Sequence, residues 1–463
     1  MAAEDRQRNQ RIDWGRATIA ALVVSAVGWI QFRYVLTHFS NGGHLLDSGW
    51  FASLLGSGDP LLTNPRAIDG LSYFAYHLTP WLSGVGMAAH AAGIDGFLAL
   101  AIHQGAMFAL LTAALIALAL REAGWPGFLL GLAAIFLMTI GDLTLQIASY
   151  PHYEIAIVAF AALGLAFGRN GRPVLATLAF LLATLVREDG GLYAAVFIAV
   201  LAAVSGRRAV LFGAIPAIAA SAAMFWIKAK HFPGFSAFAY NYSGDNWQHL
   251  TADFVTGRLA DFVHNPLAVT TLLAALALAI QSRRYLVAPL LLLPLIAAQL
   301  LAVRPQLGHF TLYYALPFLV IWVALFAGAG RTGTRRHPTL EALIVLAGIL
   351  VTSGPVQFIL SPPSYFPVFA AALVRPVVDL PALARAAEAA LIPDACVSKG
   401  VAALIPNAVT PSQVIDPTSD LAACRTIFLF NGDLDYDDLA PKMADRVAGP
   451  VIAGRIERYD QRP

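Results

Sequence analysis

Charge is scarce in this chain. Asp, Glu, Lys and Arg make up 13% of its 463 residues, about half of the roughly 25% usual for a soluble domain. The formal net charge is only +2, which leaves no case for nucleic-acid binding. No convincing internal repeat is present, and internal repeats are what many transporters show. No His-x-x-x-His or comparable spacing occurs, so no metal and no cofactor is expected. There are two cysteines, Cys396 and Cys424, both in the last hundred or so residues.

What the chain does have is apolar sequence. Hydrophobic residues make up 58%, gathered in runs spread over residues 17–360. That pattern describes an all-α polytopic membrane protein. The runs place eleven spans, near 17–38, 97–120, 126–141, 153–168, 173–186, 191–204, 209–227, 267–280, 286–303, 310–329 and 339–360. The first follows the basic segment Arg6–Arg16 and has a poor cleavage site at Ser25–Gly28, so it reads as an uncleaved helix. Residues 1–16 form a short leading segment and 17–360 the transmembrane domain.

Basic clusters fix the orientation. Arg6/Arg8/Arg11/Arg16, Arg121, Arg169/Arg172, Arg207/Arg208, Arg283/Arg284 and Arg331/Arg335/Arg336 all fall on one side of the spans. The positive-inside rule makes that side cytoplasmic. The N-terminus is then cytoplasmic and the C-terminus extracytoplasmic. The long connections, 39–96 and 228–266, lie outside, as does the tail 361–463. Long loops carry function more often than short ones. The working face is expected there.

The tail reads as a small α/β domain. Leu380–Leu391 is helical in pattern, while Cys396–Ser398 and Thr426–Phe430 read as short buried strands. An oxidising location makes a Cys396–Cys424 disulfide the expectation, against two buried free thiols. The acidic run from Asp433 to Asp438 lacks the terminal Glu of a calcium loop and reads as a solvated turn.

Ionisable residues gather on the outer face. His44, His77, His152, Glu154, Arg187, Glu188, Asp189 and His309 come from different loops and would form the walls of one outward site. The Arg187-Glu188-Asp189 triplet separates two apolar runs, where a membrane tolerates ions only at a turn or a polar site. Asp47 has apolar and aromatic neighbours and would serve as a general base; the competing reading is a helix cap with Ser48. Arg33 snorkels to the surface or meets an anionic headgroup. Lys228 and Lys230, basic on the outer side, are further phosphate candidates.

Six stretches carry a family resemblance. They are Leu46–Phe51, His77–Pro80, Tyr150–Glu154, Arg187–Asp189, His309–Pro317 and Ile392–Ser398. Together they resemble the domain-of-unknown-function 2079 family of bacterial polytopic membrane proteins, over nearly the whole chain. The chain departs from the usual family pattern at Leu46, Ala52-Ser53, Pro151-His152-Tyr153 and Arg187. The layout is similar to the C-type glycosyltransferase fold. That resemblance implies an inner-membrane enzyme that moves a sugar from a polyprenyl-phosphate donor to an extracytoplasmic acceptor, with Asp47 as its catalytic carboxylate. A transporter or lipid flippase, with His103-Gln104 as its mid-span polar pair, and a non-catalytic envelope assembly protein are the alternatives.

Overall fold

A computed structural model describes residues 13–40, 46–120, 123–141, 144, 147, 152–205, 208–236, 239–243, 246–304, 307, 312–329, 343–345, 347–349, 370, 373–432 and 435–462. The protein is mostly helical, with one small sheet near the C-terminus. Ten of the eleven apolar runs contain a described helix. The eleventh, 339–360, lies largely outside the described residues, as do His44 and His309.

Helix α1 spans Trp14–Ser40 and α2 spans Leu46–Ser57. Helices α3 (Pro80–Ala91), α4 (Gly96–Ala119), α5 (Trp125–Ile140) and α6 (Ile155–Arg169) follow. Then come α7 (Pro173–Val186), α8 (Gly190–Ser205), α9 (Ala214–His231), α10 (Ala252–His264), α11 (Pro266–Gln281), α12 (Val287–Leu300) and α13 (Leu316–Ala329). Among the described residues, three segments are long and apolar enough to cross a membrane: α1, α4, and α9 with the turn before it. The pair α10 and α11, bent by 73°, would add a fourth. Helices α5 to α8 and α12 are apolar but shorter.

Composition explains the packing. Residues Ile155–Ala162 of α6 are buried on every side, so this helix is apolar all round rather than amphipathic. Around it the backbones approach closely at small residues. A side chain at Gly105 of α4 would strike the Gly28 carbonyl of α1, and one at Gly191 of α8 would strike the Ala217 carbonyl of α9. Such contacts are typical of helices packed in lipid.

The first long connection is largely helical, including most of the apolar stretch Trp81–Ile94 that reads as a helix in the sequence. It folds into α2, a 3₁₀ turn at Tyr73–Ala75 and α3. Gly58, at φ +66°, ends α2, a backbone conformation that favours glycine. Proline at the first position and the Thr79 cap start α3, as helix-start chemistry predicts.

The tail holds helices α14 (Leu380–Ala390), α15 (Lys399–Leu404) and α16 (Tyr436–Leu439) with five strands: β1 (Cys396–Ser398), β2 (Val414–Ile415), β3 (Thr426–Phe430), β4 (Val447–Ala448) and β5 (Ile456–Asp460). The sheet order is β2-β1-β3-β5-β4, parallel among the first three and antiparallel beyond. Every residue of β1 and β3 is buried, as expected of the short buried strands read there. Cys396 and Cys424 are joined by a disulfide.

The tail packs on the helical part. Helix α15 lies against α2, so closely that a side chain at Gly49 would strike the Ala403 carbonyl. The Ala67 amide donates to the Pro406 carbonyl (2.8 Å) and the Asn407 amide to the Ser53 hydroxyl (3.2 Å).

Candidate functional site

A cavity of about 590 Å³ lies where the first and second long connections meet helix ends. Its charged lining comes from five separate parts of the chain: Asp47, His77, the pair His152 and Glu154, the pair Arg187 and Asp189, and Arg304. Aromatic rings fill the gaps, with Trp50, Tyr73 and Tyr76 from the first connection and Phe235, Tyr240 and Tyr242 from the second. Gln299 and Tyr314 complete the polar surface.

Each charged group is placed by local structure. Asp47 sits in the first turn of α2, inside the helix rather than capping it. A carboxylate there also meets the favourable end of the helix dipole. Helix α7 stops at Val186 because Arg187 is extended, at φ −159° and ψ 155°. The Gly190 amide then donates to the Arg187 carbonyl (2.8 Å), and the chain turns straight into α8. Glycine is needed at this turn because a side chain at Gly190 would strike the Ala183 carbonyl.

The triplet is a buried bracket rather than a solvated loop. Arg187 donates Nε and Nη2 to the two Asp189 oxygens (2.6 and 2.7 Å). Its Nη1 donates to Glu154 Oε1 (2.9 Å). Glu154 Oε2 faces His152 Nδ1 at 3.1 Å. Glu188 points the other way. It accepts the Leu78 amide at Oε2 (2.9 Å) and meets His77 Nδ1 at Oε1 (3.1 Å). Lys228 Nζ stands 3.4 Å from the same Oε1. Burial pushes the Glu188 carboxyl up. The hydrogen bond and charge of His77, with Lys228 and Arg187, outweigh that and hold it at about 2.

Asp47 differs from these acids. Among the described residues, none hydrogen-bonds or ion-pairs with its carboxylate. Glu154, Glu188 and Asp189 all have cationic or imidazole partners.

The structure thus brings together Asp47, His77, His152, Glu154, Arg187 and Asp189 in one lining, with Glu188 directly behind His77. It does not bring the three basic residues read as phosphate ligands into that lining. Arg33 reaches the Arg375 carbonyl (2.9 Å) and so ties α1 to the tail. Lys228 is buried on Glu188, whose charge it balances. Lys230 lies over the Trp226 ring (4.9 Å). Among the described residues, no three His, Cys, Asp or Glu side chains are grouped to hold a metal.

The cation that sequence reasoning missed is Arg304. Its Nη1 donates to the Tyr314 hydroxyl (3.0 Å), and its guanidinium stacks 4.8 Å from the Tyr240 ring centroid. The backbone beside it is fixed from two sides. Arg258 of α10 donates to the Ala302 and Val303 carbonyls, and the Val303 amide donates to the Asn241 carbonyl (2.8 Å). A signal was available: Arg304 follows the ninth apolar run on the side where basic residues are sparse, as Lys228 does after the seventh.

No family model matches the chain, and no curated protein matches it significantly. Among solved structures it is similar to ArnT from Cupriavidus metallidurans, both bound to undecaprenyl phosphate and in the apo state. Identity is 14%, with 96% of this chain and 98% of that chain covered, and TM-scores are 0.47 and 0.46. A likeness of that size carries no argument about chemistry.

Proposed function

We propose that the protein transfers a sugar from a polyprenyl-phosphate donor to an acceptor on the extracytoplasmic side of a bacterial inner membrane, in the manner of a C-type glycosyltransferase. The observation that supports this reading best is the contrast inside the cavity. Asp47 is the lining carboxylate with no partner among the described residues, while its neighbours are ion-paired. A carboxylate kept open in a cleft is what proton abstraction from an acceptor hydroxyl requires.

The rest of the lining suits the same chemistry. The transfer needs a cation for the phosphate that leaves. The lining offers Arg304 for that role, beside the Tyr240 ring and the Tyr314 hydroxyl. A planar guanidinium suits phosphate oxygens. The aromatic rings offer apolar faces to a sugar and to the acceptor. The membership in the domain-of-unknown-function 2079 family suggested by the sequence motifs belongs to the same proposal, as does the orientation with the cavity facing outward.

The test uses the full chain in proteoliposomes with undecaprenyl-phosphate hexoses, the lipid taken from the ArnT crystal structure. Release of undecaprenyl phosphate with transfer of sugar is the expected result. Asp47→Asn is expected to lower the rate by roughly 10²–10⁴-fold, with an unchanged elution profile in detergent. An Asp47→Asn protein as active as the parent would remove the assigned role.

One observation favours a second reading, transport. His103 and Gln104 are buried within α4, and His103 Nδ1 and both amide atoms of Gln104 lack partners among the described residues. Buried polar atoms of this kind commonly hold water. Substrate counterflow without a covalent product would favour that reading over transfer.

A further inference from the structure

His77 carries chemistry of its own, on the reading that this cavity transfers sugar from a lipid phosphate. Its side chain lines the cavity and is 29% exposed, while its Glu188 partner is 4% exposed. With the Nδ1 proton donated inward to Glu188 (3.1 Å), the ring is held in one orientation. Among the described residues no group takes Nε2. A carboxylate that fixes one imidazole nitrogen and leaves the other for a reacting group is an arrangement suited to proton transfer.

The described charges around the ring favour a role in which a proton leaves it. Among the described residues the cluster has four carboxylates, Asp47, Glu154, Glu188 and Asp189, and three permanent cations, Arg187, Lys228 and Arg304. These described groups leave room for one imidazolium. The two histidines are not equivalent candidates. His152 is buried against the Phe51 ring (4.5 Å), and its Glu154 partner already accepts a 2.9 Å bond from Arg187. Glu188 faces its own cation, Lys228, only at 3.4 Å. The groups around His77 are Tyr73 from the first connection (ring centroids 6.2 Å apart), Glu154 at the start of α6, Glu188 in the turn and Lys228 near the end of α9. The nearest of these, Glu188, is an anion.

We propose that His77, oriented by Glu188, is the general acid of the transfer. The acceptor oxygen bonds to the anomeric carbon of the sugar, and its proton goes to Asp47. The bond from that carbon to the phosphate oxygen breaks, and its electron pair stays on the oxygen. His77 Nε2–H passes its proton to that phosphate. The lipid phosphate leaves as a monoanion, His77 is left neutral, and both side chains exchange protons with water before the next turnover. Glu188 is a positioning residue, because it acts through His77.

The experiment measures undecaprenyl phosphate release by the reconstituted full chain between about pH 5 and pH 9. An acid must be protonated to act, so the parent rate is expected to fall as pH rises. His77→Gln is expected to lose that alkaline limb and roughly 10²–10⁴-fold of the rate. Added imidazole is expected to restore the rate of His77→Gly, which a merely structural role would not allow. A parent profile with no alkaline limb overturns the proposal without any variant. So does a His77→Gln protein that keeps the limb, or loses an acid-side limb instead. If the parent releases no undecaprenyl phosphate with any hexose donor, the transferase reading itself fails and this proposal with it. If the parent is active and His77→Gln matches it, only the acid is wrong.

Discussion

Arg187 reaches carboxylates in two parts of the chain, Glu154 at the start of α6 and Asp189 in its own turn. With Glu188 turned back toward His77 and Lys228, the triplet splits its charges between two sides of the cavity wall. Burying such groups is costly unless each finds a partner, and each does. The consequence for pH follows from Glu188, whose carboxyl is held at about 2 against an ordinary value of 4.5. A folded-state value below the unfolded one means that the stabilisation is fully present above the ordinary value. It is lost as pH falls through the folded one. The unfolding midpoint in detergent is therefore expected to hold steady from neutral pH down to about pH 5 and to decline between about pH 4.5 and pH 2. Glu188→Gln should start lower at neutral pH and decline less steeply over that window. Equal slopes for both proteins would show that Glu188 is not responsible.

At the level of elements, the helix that carries Asp47 is held from behind. Gly49 lets α15 pack against α2 with no room for a methyl group. Gly49→Ala is expected to destabilise by about 1–3 kcal/mol as an overpacked contact and, on the proposed function, to lower transfer because Asp47 lies two positions away. Gly84→Ala on α3, where nothing lies within 4 Å, is the control. It should be neutral or stabilising by up to about 1 kcal/mol. Thermal unfolding and the release assay check both. Of these features, the sequence showed Asp47 and the strands at Cys396–Ser398 and Thr426–Phe430, because burial leaves an apolar pattern around them. The meeting of Gly49 with Ala403 left no trace, since a long-range backbone contact has no local pattern. The same holds for Arg304. Its neighbours Tyr240 and Asn241 are some sixty residues away, across α10, α11 and α12. The phosphate assignments to Lys228 and Lys230 came from charge alone, and charge could not reveal that Glu188 or a Trp226 ring would occupy them.

Across the whole molecule, the tail is part of the frame around the cavity. It is attached through the Arg33–Arg375, Ser40–Val378, Ser53–Asn407 and Ala67–Pro406 contacts. The disulfide closes a loop of 28 residues between β1 and the strand β3 side of the sheet, and β1 leads directly into α15. A loop of that length gives about 3–4 kcal/mol on the chain-entropy model. Replacing both cysteines with Ala is expected to lower stability by about that amount, and the same loss should appear when the parent is reduced. Hydrogen exchange at α15 and α2 would report it. An unchanged exchange rate at α2 would mean that the tail folds without supporting the site.

The seat of α15 on α2 also sets an order of events during synthesis. Ser53 and Asn407, which meet there, are 354 positions apart. The helix bearing Asp47 leaves the ribosome early and waits for nearly the whole remaining chain before its last supporting wall exists. A chain cut short before residue 399 would keep every lining residue described above and still lack that wall. Truncation products should therefore be recognisable as proteins with the cavity residues intact but the site unfinished.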